Sequence, residues 1–228
     1  VAAERNFPLE ESEALAQVVE EMVTSGEGAV HDTHSSKNRR TSNKRPGIVG
    51  FGLHGAEEGF GPQPFEFAFK RACACADVVA LPHAGENAPV PGGGADSVRY
   101  CVDQLGAKRI GHGVLAANDD ALVAHLATTG VCLDVCPTSN YLLRVVDSLA
   151  NHPLPDLLAA GVPCSINPDD PLLFGCSVLS EFETCRRELM MTDAQLAACA
   201  RYSFIHSRAP DAVKEEGLRG IESWLGGE

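Results

Sequence analysis

From residue 48 onward, short apolar runs alternate with longer amphipathic ones. "IVGFGL" (48–53), "DVVALP" (77–82), "RIGHGV" (109–114), "VCLDVC" (131–136) and "VPCSIN" (162–167) have strand length and little internal polarity. That is the pattern of strands buried on both faces. Between them, "PFEFAFKRACACA" (64–76), "ADSVRYCVDQLG" (95–106), "NDDALVAHLATTG" (118–130) and "PLPDLLAAG" (153–161) carry apolar residues at helical spacing. Gly106, Gly130 and Gly161 stand where helices end in a left-handed cap. Further helices are predicted over 178–189, 192–204 and 211–225, and Val1-Ala2-Ala3 reads as a sixth strand. Continuous apolar strands separated by helices pair in parallel through right-handed crossovers. Two α/β architectures use such units, the (β/α)8 TIM-type barrel and the doubly wound sheet. Both place their chemistry just past the carboxyl ends of the strands.

Residues 24–46, "TSGEGAVHDTHSSKNRRTSNKRP", interrupt this rhythm. They are polar, basic and poor in branched apolar side chains, and read as a flexible insertion within one domain spanning 1–228. His31 and His34 lie inside it with nothing rigid to hold a metal.

Composition narrows the partners. With 44% hydrophobic and 21% charged residues the chain is of ordinary globular type. Its formal net charge of −13 argues against nucleic acid and anionic membrane, leaving a neutral or cationic small molecule. No stretch approaches the roughly 18 apolar residues of a membrane span, and the start has no signal-type leader. The chain begins at Val1 rather than Met, as a processed chain or a piece of a longer one would. Nine cysteines are an odd number scattered through apolar elements: Cys132 and Cys136 in a strand-like run, Cys185 and Cys199 in helix-like ones. They read as buried thiols in a reducing, cytoplasmic setting.

The candidate chemistry follows the strands. One run leads into His83 and Glu86; another delivers His112 between two glycines; a third ends in the acidic pair Asp169 and Asp170 between prolines. A parallel sheet would gather these side chains on one rim. A lone histidine after a strand is commonly structural, and an Asp-Asp pair before proline is commonly a helix cap. Together they supply imidazole and carboxylate, the ligands a zinc-like ion takes. Glu86, only three residues from His83, is better placed as an acid or base beside such an ion than as a ligand.

"PHAGE" (82–86), "RIGHG" (109–113), "CPTSN" (136–140) and "INPDDP" (166–171) follow one another in the order and spacing of the adenosine deaminase family of metal-dependent amidohydrolase barrels. "VGFGLHGAEE" (49–58) is similar to that family's fourth-strand segment. The resemblance implies a zinc-dependent hydrolytic deaminase of adenosine in purine metabolism. It implies that His83 and Asp169 ligate Zn2+, that His112 orients and activates the attacking water, and that Asp169 also takes up a proton. Glu86 would protonate the purine ring, while the Gly55 backbone N–H and Asp170 would bind it.

The family's H-x-H strand is absent from this chain. If Val1 to Arg5 match the end of the third strand, the first two strand–helix units are missing, the barrel is incomplete, and half of the metal site remains. Two alternatives therefore stand beside the adenosine reading: a non-catalytic relic or nucleoside-binding module, and an amidohydrolase acting on free adenine or a modified adenosine. Gly52, Pro168 and Asp134 replace the family's usual residues, and His54 reads as an exposed loop histidine.

Overall fold

The computed structural model describes residues 1–27, 29–31, 44–45, 47–87 and 93–227. The chain opens with strand β1 (Ala2–Glu4) and helix α1 (Leu9–Ser25), followed by a short antiparallel ribbon of β2 (Val30–His31) and β3 (Lys44–Arg45). The segment read as a flexible insertion falls here; most of it, His34 included, lies outside the described residues. Strand and helix then alternate: β4 (Gly50–His54), α2 (Glu66–Ala72), β5 (Val79–Ala84), α3 (Gly94–Asp103), β6 (Arg109–His112), α4 (Asp120–Thr129), β7 (Cys132–Val135), α5 (Pro137–Leu142), α6 (Leu154–Ala159) and β8 (Cys164–Ile166). Four helices complete the chain: α7 (Pro171–Phe174), α8 (Val178–Arg187), α9 (Asp193–Ile205) and α10 (Asp211–Gly226).

Six of these strands form one parallel sheet in the order β1-β4-β5-β6-β7-β8, so every crossover within it links spatial neighbours. This is the wall of a TIM-type barrel, open between β1 and β8 among the described residues. The predicted sixth strand is real, displaced by one residue to Ala2–Glu4 and paired along β4.

The strands are apolar because both faces are covered. Phe51, Leu53, Ile110, Leu133, Val135 and Cys164 are wholly buried, and Phe51 packs edge-on against Phe69 of α2 with ring centroids 5.0 Å apart. Helix ends follow local chemistry. The Asp119 side chain accepts the Leu122 N–H at the start of α4, and Gly130 closes that helix in the left-handed region. The predicted helix over 64–76 is shorter, running as a 3-10 turn (Gln63–Phe65) into α2 and ending at Ala72, where the Cys73 N–H still reaches Phe69 O.

All nine cysteines are free thiols. Among the described residues, no helix is long and apolar enough to cross a membrane.

Candidate active site

Register brings the side chains together. Leu53 pairs with Pro82, Ala84 with His112, and Val135 with Ile166. The carboxyl ends of β4, β5, β6, β7 and β8 therefore finish at one level, and the residues just beyond them share a rim. His54 and His112 are the last residues of their strands, and His83 is the penultimate residue of β5 rather than the first beyond it.

Glu86 and Asp169 converge on His112. Its Nε2 lies 3.6 Å from Glu86 Oε2 and 3.9 Å from Asp169 Oδ2. The His83 ring is 5.3 Å from that of His112, centroid to centroid, and 4.4 Å from that of His54. His54 is exposed, as the sequence suggests, but its ring packs edge-on against a site imidazole rather than standing alone in a loop.

Glycine makes this packing possible. A Cβ at Gly111 would lie 2.8 Å from His83 Cγ, so the small residue before His112 vacates the space that the His83 ring fills. Gly85 (φ +66°) turns the chain from His83 to Glu86 through the left-handed region, where a Cβ would also strike Val98. His112 (φ 61°) and Asp169 (φ 57°) take that conformation without being glycine. Such residues cluster at functional sites, at a cost on the order of 1–3 kcal/mol each.

Electrostatics separates the roles. Burial pushes the His83 imidazole down to about 3, helped by the neighbouring His112, His54 and Arg5. It is therefore neutral at ordinary pH, the form that binds metal. Burial pushes the Glu86 carboxyl up; the charges of Asp169 and Glu57 act in the same direction, and His112 and Arg5 oppose them. A carboxyl with raised proton affinity suits a general acid.

The donor set fits a divalent cation. One ligand atom each from His112, Cys136 and Asp169 lie within 4.8 Å of one another. The buried Nδ1 atoms of both His83 and His112 have no hydrogen-bond partner among the described residues. Unpaired buried imidazole nitrogens are costly, and nitrogen, oxygen and sulfur are zinc's ligand types. Cys136, read from sequence as a buried apolar residue, thus joins the rim. It does so because β7 ends at Val135, one residue before the predicted end, leaving Cys136 at the entry to α5.

Gly55 follows β4 on the same rim with φ +89°. Asp170 serves as the N-cap of α7, its Oδ1 accepting the Leu172 and Leu173 N–H groups at 2.9 and 3.2 Å.

Sequence reasoning missed two groups beneath the rim. The Glu57 carboxylate accepts the backbone N–H groups of Gly85 and Glu86, both at 2.8 Å, and of Asn87 at 3.3 Å. Arg5 Nη2 sits 3.7 Å from Glu57 Oε1 and donates to His83 O at 2.6 Å.

A parallel barrel wall with histidines and carboxylates gathered at its carboxyl rim is the arrangement on which metal-assisted hydrolases are built. The adenosine deaminase profile matches residues 16–224, and the chain belongs to that family. It is 44% identical over 181 residues to a Streptomyces virginiae protein provisionally named adenosine/adenine deaminase, covering 79% of this chain and 52% of that one. It is 39% identical over 206 residues to an aminodeoxyfutalosine deaminase of Streptomyces coelicolor, covering 88% of this chain and 52% of the relative. The crystal structure of an adenine deaminase from Arthrobacter aurescens superposes with a TM-score of 0.80 at 32% identity, covering 99% of this chain and 60% of that one. The chain thus spans about half the length of the curated relatives it matches.

Proposed function

We propose that this chain carries the purine-handling half of a zinc-dependent aminohydrolase, replacing the exocyclic amine of an adenine ring by oxygen and releasing ammonia. The reading rests above all on the convergence of Glu86 and Asp169 on the buried His112, each with a carboxyl oxygen within 4 Å of its Nε2.

A bound zinc ion would supply the Lewis acidity that makes hydroxide available near neutral pH. His83 and Asp169 would hold it, and the Cys136 sulfur, grouped with Asp169 and His112 rather than with His83, would offer a further ligand. Glu86, whose proton affinity burial raises, delivers a proton to the ring nitrogen beside the reacting carbon, relieving the negative charge that addition puts on the ring. His112 orients the incoming water through Nε2, and Asp169, 3.9 Å away, takes up the proton that the water gives. The Gly55 backbone N–H and the Asp170 carboxylate bind the far side of the ring.

The names of the relatives divide among adenosine, adenine and aminodeoxyfutalosine. The residues described all address the purine that these share, so the proposed substrate class is an adenine-containing small molecule. Each of these relatives is named as a deaminase, which favours turnover over a non-catalytic binding role.

The test is ammonia release from adenine, adenosine and a 5′-modified adenosine, run with metal analysis of the purified protein. Zinc near one per chain together with ammonia from at least one substrate is expected. A protein that holds no zinc and releases no ammonia from any of the three refutes the proposal.

A further inference from the structure

We infer that Arg5 and Glu57 are positioning residues of this centre, a buried ion pair that fastens the turn between His83 and Glu86 and so sets where the proton donor stands. The inference rests on the aminohydrolase reading for its kinetic consequence, but not for its structural content.

Three observations carry it. First, Glu57 is 3% exposed and Arg5 2% exposed, so two full charges are withdrawn from water. A buried ion pair is a weak way to gain stability, because apolar side chains of similar volume commonly do as well or better. Its presence calls for another role.

Second, the Glu57 carboxylate directs most of its hydrogen bonds at one turn. It accepts N–H groups from three successive residues, Gly85, Glu86 and Asn87, and the Ser97 hydroxyl donates to it at 3.4 Å. The left-handed Gly85 points those amides inward, so the turn forms a concave nest for the anion. A carboxylate in that nest fixes the backbone on both sides of Glu86. Bonds of this charge-assisted kind are about twice as strong as neutral ones.

Third, Arg5 ties the other side of the same turn. It bonds His83 O at 2.6 Å and Phe60 O at 2.5 Å, while its own N–H donates to His54 O at 2.9 Å. The pair thereby links the end of β1, the end of β4, the loop after β4 and the end of β5. His83 and Glu86 are held from beneath at a common point. A displacement of about 1 Å at a reacting group can cost on the order of 100-fold in rate, so a group that touches no substrate can still govern turnover.

The experiment has two arms. In the first, the amides of Gly85, Glu86 and Asn87 are followed by 1H–15N NMR and hydrogen exchange in the wild-type chain and in Glu57→Gln. Protected amides that move and exchange faster in the variant, while the sheet signals stay in place, are expected. Unprotected wild-type amides would overturn the clamp whether or not the protein is a deaminase. In the second arm, Glu57→Gln is expected to lower kcat about ten-fold or more, with KM changed by no more than about three-fold. The double variant Arg5→Gln/Glu57→Gln leaves no uncompensated buried charge, and should regain melting temperature without regaining kcat. If turnover returns with stability, the pair is merely structural and the inference is wrong. A wild-type chain that releases no ammonia from any adenine compound refutes the function proposal, while the first arm still decides the clamp.

Discussion

Replacing Gly111 by Ala tests whether the rim is built around the His83 ring. The added Cβ would stand 2.8 Å from His83 Cγ and 2.9 Å from both Cδ2 and Nδ1. Carbon–carbon contacts are comfortable at about 3.5–4.0 Å, so the imidazole must retreat by roughly 0.7 Å. It has little room, because the rings of His54 and His112 flank it at 4.4 and 5.3 Å. Overpacking of this kind costs about 1–3 kcal/mol. Alanine in a strand recovers about 0.5–1 kcal/mol relative to glycine. The net loss is therefore at most about 2.5 kcal/mol, or a melting temperature lower by at most about 10 °C for a chain of this size. The larger effect falls on the site, since the displaced ring carries the proposed zinc ligand. Competition against a graded chelator, alongside thermal melts, measures both. Gly220→Ala is the control: nothing lies within 4 Å of its Cβ position in α10, so it should be neutral or slightly stabilising. If Gly111→Ala melts with the wild type and gives up metal at the same chelator concentration, the account of the His83 pocket is wrong.

Other expectations concern single groups. Glu86→Gln should lower turnover by about 100- to 10,000-fold while zinc content stays unchanged; a variant keeping most of its rate removes Glu86 as the proton donor. Asp169→Ala should lose both metal and activity. Asp170→Ala should keep metal, bind substrate more weakly and lose about 1 kcal/mol through its missing helix cap, and equal zinc loss in the two variants would show that the acidic pair is wrongly assigned. Burial pushes His152 down to about 4, so below the ordinary imidazole value of about 6.5 the unfolded chain takes up a proton that the folded chain refuses. Stability should thus fall as pH drops from about 6.5 to about 4, by up to about 3 kcal/mol from this group. Denaturant titrations of wild type and His152→Gln check this, and parallel pH profiles would count against it.

Much of this molecule is legible in its sequence because the strands are buried on both faces. The five apolar runs from residue 48 onward each contain an observed strand, and once those run parallel, His83, Glu86, His112 and Asp169 must meet at one rim. Boundaries shifted by one or two residues where apolarity alone could not set them. β5 continues to Ala84 because parallel pairing with β6 carries it past Pro82, putting His83 inside the strand. Helix α1 (Leu9–Ser25) lies ahead of the repeating strand–helix pattern and escapes it. Glu57 and Arg5 were hidden for a different reason. A carboxylate that receives backbone amides from a turn about 30 residues away leaves no periodicity, and "GAEE", though part of the stretch similar to the family's fourth-strand segment, does not show which of its residues is buried. Cys136 was masked by its residue type, since a thiol at a strand end reads as one more apolar side chain until the rim is assembled.

The left-handed backbone at His112 and Asp169 bears on why those residues are there. A polypeptide under pressure only to fold would gain by carrying glycine at both places, for glycine enters that region freely whereas a side chain resists it. Both positions instead hold ionisable groups pointing at each other. Side chains there cost the folded state some stability that glycine would spare, and at these two positions the side chains meet at the rim.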